Sequence, residues 1–237
     1  IEFEKLDAHY DQVVIAVSPG RGGNEAYQKV FGLGVNHITK WLQRNAPTSV
    51  VFISSTSVYR QKNAEWVQED IADIPENITS KILWEAEQKI STIEQAVTIL
   101  RSSGIYGPGR SHLFRQFMDG NATIEGNGDR YLNMVHRDDL AEAITHSITN
   151  KDKLCGTFNI TDDEPVKQLA FFKWLSKITN RPMPVFGPEP DPTTRKRGIT
   201  NKRVSNKLFK EILGFQYNYP TFREGLTEEL ENWKAMP

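Results

Sequence analysis

Four consecutive hydroxyl side chains, Ser54, Ser55, Thr56 and Ser57, follow directly on the apolar run from Ser49 to Ile53. Such a run reads as a buried parallel strand, and the carboxyl end of such a strand is where open α/β sheets hold their ligands. Hydroxyls at that place can donate a hydrogen bond to a reacting oxygen or accept one from it. The other side chains with chemistry to offer are scattered. Tyr59 and Tyr106 carry phenols, and no tyrosine lies between them. His136 has an imidazole that titrates near neutrality, and Arg110 and Arg130 offer bidentate donors for a diphosphate. Tyr59 reads as a packing residue under the following loop. No spacing of His, Asp, Glu or Cys suits a metal ion.

The elements that must position these groups alternate. Gln12–Val17 is short, apolar and β-branched, the pattern of a strand covered on both faces. A helix capped by Asn24 carries Tyr27, Val30, Phe31, Ile38, Trp41 and Leu42 on one side. The strand Ser49–Ile53 completes a βαβ unit. A helix over about 79–95 and a strand Val97–Arg101 repeat the pattern. Downstream come a turn at Gly126–Arg130 and a strand Tyr131–His136. A helix capped by Asp138 or Asp139, a strand Thr157–Thr161 and a helix built on Leu169, Phe172, Leu175 and Ile178 follow. A loop rich in Pro and Gly, Arg181–Gly198, and a terminal helical region close the chain. The loop reads as a surface connection, with a lid as the alternative. The alternation predicts an α/β fold with a doubly wound, Rossmann-like parallel sheet.

Composition narrows the function. The chain has 237 residues, 25% of them charged, and a formal net charge of −1, so nothing in it calls for nucleic acid or an anionic membrane. No apolar run reaches membrane-spanning length. The one cysteine, Cys155, reads as a small core residue, excludes an internal disulfide and suits a reducing cytoplasm. Ile1-Glu-Phe-Glu runs almost at once into a strand, and earlier strands of the sheet are expected to be missing.

Five segments resemble the extended short-chain dehydrogenase/reductase family of NAD-dependent epimerases and dehydratases. They are Ser54-Ser-Thr-Ser-Val-Tyr59, Arg101–Gly109 with its Tyr-Gly-Pro-Gly, Asn133–Asp139, Phe158–Pro165, and Arg203-Val-Ser-Asn206 with Leu213-Gly-Phe215 and Tyr219-Pro220. The first is also similar to an atypical YeeZ-like bacterial subgroup. The resemblance implies NAD or NADP as cofactor and a nucleotide sugar or related small hydroxylated compound as substrate. It also implies a homodimer through analogy and a division into a nucleotide-binding part, 1–110, and a substrate lobe, 111–237. Segments from about 131–165 are expected to return from that lobe to the sheet. Ser55 takes the place of the family's catalytic hydroxyl. Val17, Ser18, Pro19, Ser54, Lys81 and Tyr106 fall along the cofactor, and Thr56, Arg110 and Arg130 toward the substrate.

Two family features are absent from the sequence. Gly20-Arg-Gly-Gly23 lacks the spacing of the Gly-x-Gly-x-x-Gly turn that holds a pyrophosphate. The Tyr-x-x-x-Lys pair is missing as well. One register puts Thr79 and Leu83 at its positions, another Asn77 and Lys81, and neither supplies a phenol. Two functions therefore stand side by side: an enzyme whose proton passes through another group, and a dinucleotide- or partner-binding module without turnover.

Overall fold

The structure, a computed structural model, describes residues 9–20, 22–71, 73–150, 152–189, 191 and 199–234. The chain begins with β1 (Gln12–Ile15), and α1 (Asn24–Tyr27) then runs through a π-helical turn, Gln28–Gly34, into α2 (Val35–Asn45). β2 (Ser49–Ser55) ends in a 3-10 turn, Thr56–Val58. After it come β3 (Glu65–Val67), α3 (Ile78–Ile90), β4 (Ala96–Ser102), β5 (Gly104–Tyr106) and α4 (His112–Met118). The next elements are β6 (Thr123–Glu125), β7 (Tyr131–Leu132), β8 (Met134–His136), α5 (Arg137–Thr149) and β9 (Gly156–Ile160). The last are β10 (Val166–Lys167), α6 (Gln168–Thr179), β11 (Val185–Gly187), β12 (Lys202–Val204), α7 (Lys207–Leu213) and α8 (Phe222–Lys234).

The central sheet has the order β1-β2-β4-β9, and every pair in it is parallel. All four carboxyl ends therefore lie along one edge, with Ser55 beside Ser102 and Ser102 beside Ile160. Strand alternation sends Val50 and Phe52 into a cluster with Phe31, Trp41, Leu42 and Ile90, while Val51 packs with Leu100, Leu140 and Phe158 on the other face. Helices cover both faces, so this is a doubly wound, Rossmann-like sheet. A separate cluster, including Phe114, Phe117, Ile124, Phe171, Phe172 and Phe222, lies under α4, α6 and α8.

Local chemistry moves several boundaries. β1 ends at Ile15, and Val14 and Val17 are 38% and 36% exposed, because among the described residues β1 pairs with β2 alone. The expectation of a strand covered on both faces is corrected accordingly. Asn24 is the first residue of α1 rather than its cap; Gly23 takes that place. α3 stops at Ile90, where the hydroxyls of Ser91 and Thr92 bond back to the carbonyls of Glu87 and Lys89 and compete with further helix. α5 is capped by His136, whose Nδ1 accepts from Asp138 N at 3.3 Å, so neither Asp138 nor Asp139 is the cap. Within Arg181–Gly198, β11 pairs with β6, while residues 190 and 192–198 of that loop lie outside the described residues, as does Ile1-Glu-Phe-Glu.

Asn77 starts α3 by accepting from Thr79 N at 3.1 Å and Ser80 N at 3.3 Å. Replacing Asn77 by Ala should cost about 1 kcal/mol, measured as a lower urea midpoint at unchanged slope. An unchanged midpoint would show that the cap contributes nothing.

Candidate functional site

At the end of β2 successive side chains point to opposite sides. Ser54 turns inward and donates from Oγ to Glu87 Oε1. Ser55 turns outward, where its Oγ accepts from Ser57 N at 3.2 Å. That bond fixes the oxygen, caps the 3-10 turn and leaves the hydroxyl proton free to donate. Ser55, Thr56 and Ser57 line a cavity of about 320 Å3 together with Ser103, Arg130 and Lys202. A neighbouring cavity of about 430 Å3 shares Ser57 and Thr200 with it and reaches Tyr59, Asn77 and Ser80. The buried hydroxyl oxygens of Ser57, Ser80 and Ser103 have no hydrogen-bond partner in the protein. Buried polar atoms ordinarily find one, so three orphans on adjoining walls suit a ligand with hydroxyl or amide groups. The walls thus fit a sugar or the carboxamide end of a nicotinamide.

Beneath this surface lies a closed network of buried polar groups. Arg101 donates to Glu87 from Nε at 3.1 Å and from Nη2 at 2.8 Å. Its Nη1 reaches Tyr59 Oη at 2.9 Å, and Tyr59 Oη donates to Asn159 Oδ1 at 2.8 Å. Burial disfavours the Arg101 cation, but the bonds and charge of Glu87 outweigh it and raise its pKa. Burial pushes the Tyr59 phenol up to about 12 against the opposing pull of Arg101. Tyr59 is therefore a neutral, fully engaged phenol, with no proton to give at physiological pH.

Lys202 is the group that the sequence reading missed. It is 5% exposed, lies on β12 and lines the Ser55 cavity. Its Nζ donates to Thr200 Oγ1 at 2.8 Å and to Tyr59 O at 3.1 Å, and among the described residues no carboxylate pairs with it. Burial, reinforced by the charge of Arg130, lowers its pKa to about 7. A signal was present: Lys202 and the buried Val204 are two apart on a strand and so share a face.

The remaining candidates divide. Arg130 reaches the cavity wall, paired with Glu125 at 3.0 Å. Val17 and Ser18 are exposed and Pro19 half-buried, just past the end of β1, apart from the Ser55 cavity. Lys81 lies on the solvent side of α3, whereas Glu87 and Leu83 face inward, which favours the register that puts Thr79 at the tyrosine position. A ribose-binding role for Lys81 is therefore not supported by its place. Tyr106 is buried away from both cavities, donates to Thr221 O at 3.1 Å and has its phenol pKa raised by burial. Arg110 sits exposed on the turn before α4 and lines neither cavity. Gly107 holds a φ of +109°, and a Cβ there would sit 2.6 Å from His136 Nε2, which explains the glycine. Burial lowers the pKa of His136 despite nearby Asp138 and Asp139, keeping it the neutral acceptor its capping role needs. Cys155 is exposed rather than in the core, since it precedes β9 at the sheet's far end. Among the described residues no group of His, Cys, Asp and Glu could hold a metal ion, and no helix is long and apolar enough to cross a membrane.

Fold and cavity together define a Rossmann-like α/β protein with its crevice at the tips of β2 and β4. The family model of the RmlD substrate binding domain matches residues 21–234, and the chain belongs to that family. No curated protein matches the sequence. Among solved structures, a candidate NAD-dependent epimerase/dehydratase from Methylobacillus flagellatus is 27% identical. The alignment covers 95% of this chain and 77% of that one, with a TM-score of 0.76. The UDP-glucuronic acid 4-epimerase of Bacillus cereus, in complex with UDP-glucuronic acid and NAD, is 19% identical, with coverages of 99% and 78% and a TM-score of 0.81. The human epimerase family protein SDR39U1 (isoform 2), with NADPH, is 20% identical, with coverages of 95% and 83% and a TM-score of 0.76.

Replacing Glu87 by Ala strands the Arg101 cation in the interior and should cost about 3–5 kcal/mol in a urea titration. The double replacement Glu87→Met with Arg101→Met should recover part of that loss. Equal losses in single and double variants would contradict the pairing.

Proposed function

We propose that this protein is an NAD(P)-dependent oxidoreductase of the epimerase/dehydratase type, acting on a nucleotide sugar or a related hydroxylated compound. The observation that carries this reading is Ser55, held at the tip of a central strand with its proton free, on a cavity wall of orphan hydroxyls. A bound nicotinamide would supply the acceptor or donor of hydride. The chain's own part is to orient the substrate: Ser55 Oγ donates to the oxygen at the reacting carbon, and Thr56 and Arg130 hold the remainder of the ligand. Lys202 and Ser103, both buried, lie on the same cavity lining. The YeeZ-like features, a cytoplasmic location and a homodimer belong to the same reading, and the neighbours' complexes with NAD, NADPH and UDP-sugars support the ligand class.

One observation favours a second reading. No phenol stands at the family's tyrosine position: Thr79 is buried there and Tyr59 is committed to Arg101 and Asn159, while the phenol on the wall of the Ser55 cavity is that of Tyr131, on β7. A binding module of the same ligands, without turnover, would retain Ser55 and lose the proton carrier.

The full-length protein should bind NAD(H) or NADP(H) by calorimetry and change the cofactor's absorbance with a nucleotide sugar. Ser55→Ala should lower kcat by roughly 100-fold with KM little changed, as removal of a donor to the developing oxyanion does. Binding without turnover in wild type supports the second reading, and absence of binding rejects both.

A further inference from the structure

We propose that the Ser55 cavity is an oxyanion site, in which the ammonium of Lys202, flanked by Arg130, takes a carboxylate or phosphate oxygen of the ligand. The inference concerns the cavity of the proposed function and rests on its being a ligand site, not on turnover.

The argument begins from charge and burial. An ammonium has three protons to donate. Two of those on Lys202 are directed at Thr200 Oγ1 and Tyr59 O, both neutral acceptors. A buried cation without a counterion is costly, and such lysines almost always have a carboxylate beside them. Every element packed against β12 was open to supply one. β3 contributes Glu65 in register with Lys202, but the Glu65 carboxylate is turned to Asn63, accepting from its backbone N at 2.7 Å. β7 contributes Tyr131, and the turn after β2 contributes Tyr59 and Arg60, the latter directed at Asp73 and Glu76. The charge that acts on Lys202 is that of Arg130, which is positive, and Glu125 is paired with Arg130. The wall around Ser55 therefore presents Lys202, a cation with no carboxylate partner among the described residues, to a cavity lined by the unpartnered hydroxyls of Ser57 and Ser103.

An anion entering this cavity supplies what the protein omits. It would take the third ammonium proton and accept from Ser55 Oγ. It would also favour the charged amine, so binding and protonation are linked. The free lysine, lowered to about 7, is half-charged at neutral pH, and the occupied one is held charged. Affinity for the anion should fall about tenfold from pH 6 to pH 8, as protonated Lys202 is lost. A lysine salt-bridged or exposed in the ordinary way would give a flat profile over that range.

The direct test reads Lys202 by the 15Nζ resonance of lysine-labelled full-length protein, assigned by its loss in Lys202→Arg. The amine should titrate near neutrality in the free protein and about one pH unit or more higher with a saturating anion. Glucuronate and inorganic pyrophosphate serve as separate probes. A shift with glucuronate alone assigns the site to a sugar carboxylate, and a shift with pyrophosphate alone assigns it to a phosphate. A shift with either probe, in a protein that turns over no nucleotide sugar, upholds this site while the proposed enzymatic function falls. Titration in the ordinary lysine range in the free protein, or no shift with either probe, overturns the proposal. A second readout needs no ligand. Since the unfolded lysine binds its proton up to about pH 10.5 and the folded one only to about 7, wild-type stability gains from this group as pH rises between them. The Tm of Lys202→Met relative to wild type should therefore decline across that interval, and a constant difference counts against a depressed lysine.

Discussion

The buried pair of Glu87 and Arg101 is the constraint on which the arrangement at the strand tips depends. Removing two charges from water is costly, and such a pair survives only when every lone pair and proton is met. Here the requirement is met by groups from five parts of the chain. Glu87 comes from α3, Arg101 from β4, Ser54 from β2, Tyr59 from the turn after it, and Asn159 from β9. Asn159 passes the network on to Ser205 O, beside α7. Satisfying this pair places the tips of three strands and one helix relative to one another.

That constraint has a direct consequence for the cavity. Because Ser54 is drawn inward to Glu87, strand alternation directs Ser55 outward. Because Tyr59 is held between Arg101 and Asn159, its carbonyl is left to accept from Lys202. Closed polar network and open polar cavity are two sides of one turn. On the inner side the charged pair has its partners; on the outer side three hydroxyls have none, and Lys202 has two neutral acceptors but, among the described residues, no carboxylate. Groups held in place but left unsatisfied are pre-organised for something that arrives from outside.

Much of this was readable from residues, and the failures have physical causes. The run Ser49–Ile53 ending in hydroxyls announced a central strand and its crevice, since apolar content on both faces arises only where helices cover both. That Ser54 turns inward while Ser55 lines the cavity depends on Glu87 and Arg101, two residues on separate elements, so the place of Ser54 along the cofactor was not to be settled from the strand alone. Lys81 was drawn to the cofactor by local likeness alone; the inward turn of Glu87 fixes the helix phase and puts Lys81 on the solvent side of α3. β1 looked like a covered strand because its residues are β-branched, yet Val14 is open where no described strand lies beside it. Lys202 went unnoticed since lysine is ordinarily a surface residue, and only its alternation with Val204 hinted at burial. Arg110 and Tyr106 were drawn to the site by proximity in sequence to the end of β4, but β5 carries the chain away from it.

The central claim is that the cavity bounded by Ser55, Ser103 and Lys202 is where this protein meets its ligand. The most direct measurement is a crystal structure of the full-length protein grown with NAD(P) and UDP-glucuronic acid. The account requires ordered ligand density within hydrogen-bond distance of Ser55 Oγ, with an acidic oxygen on Lys202 Nζ. A ligand seated elsewhere, with these side chains facing only water, would contradict it.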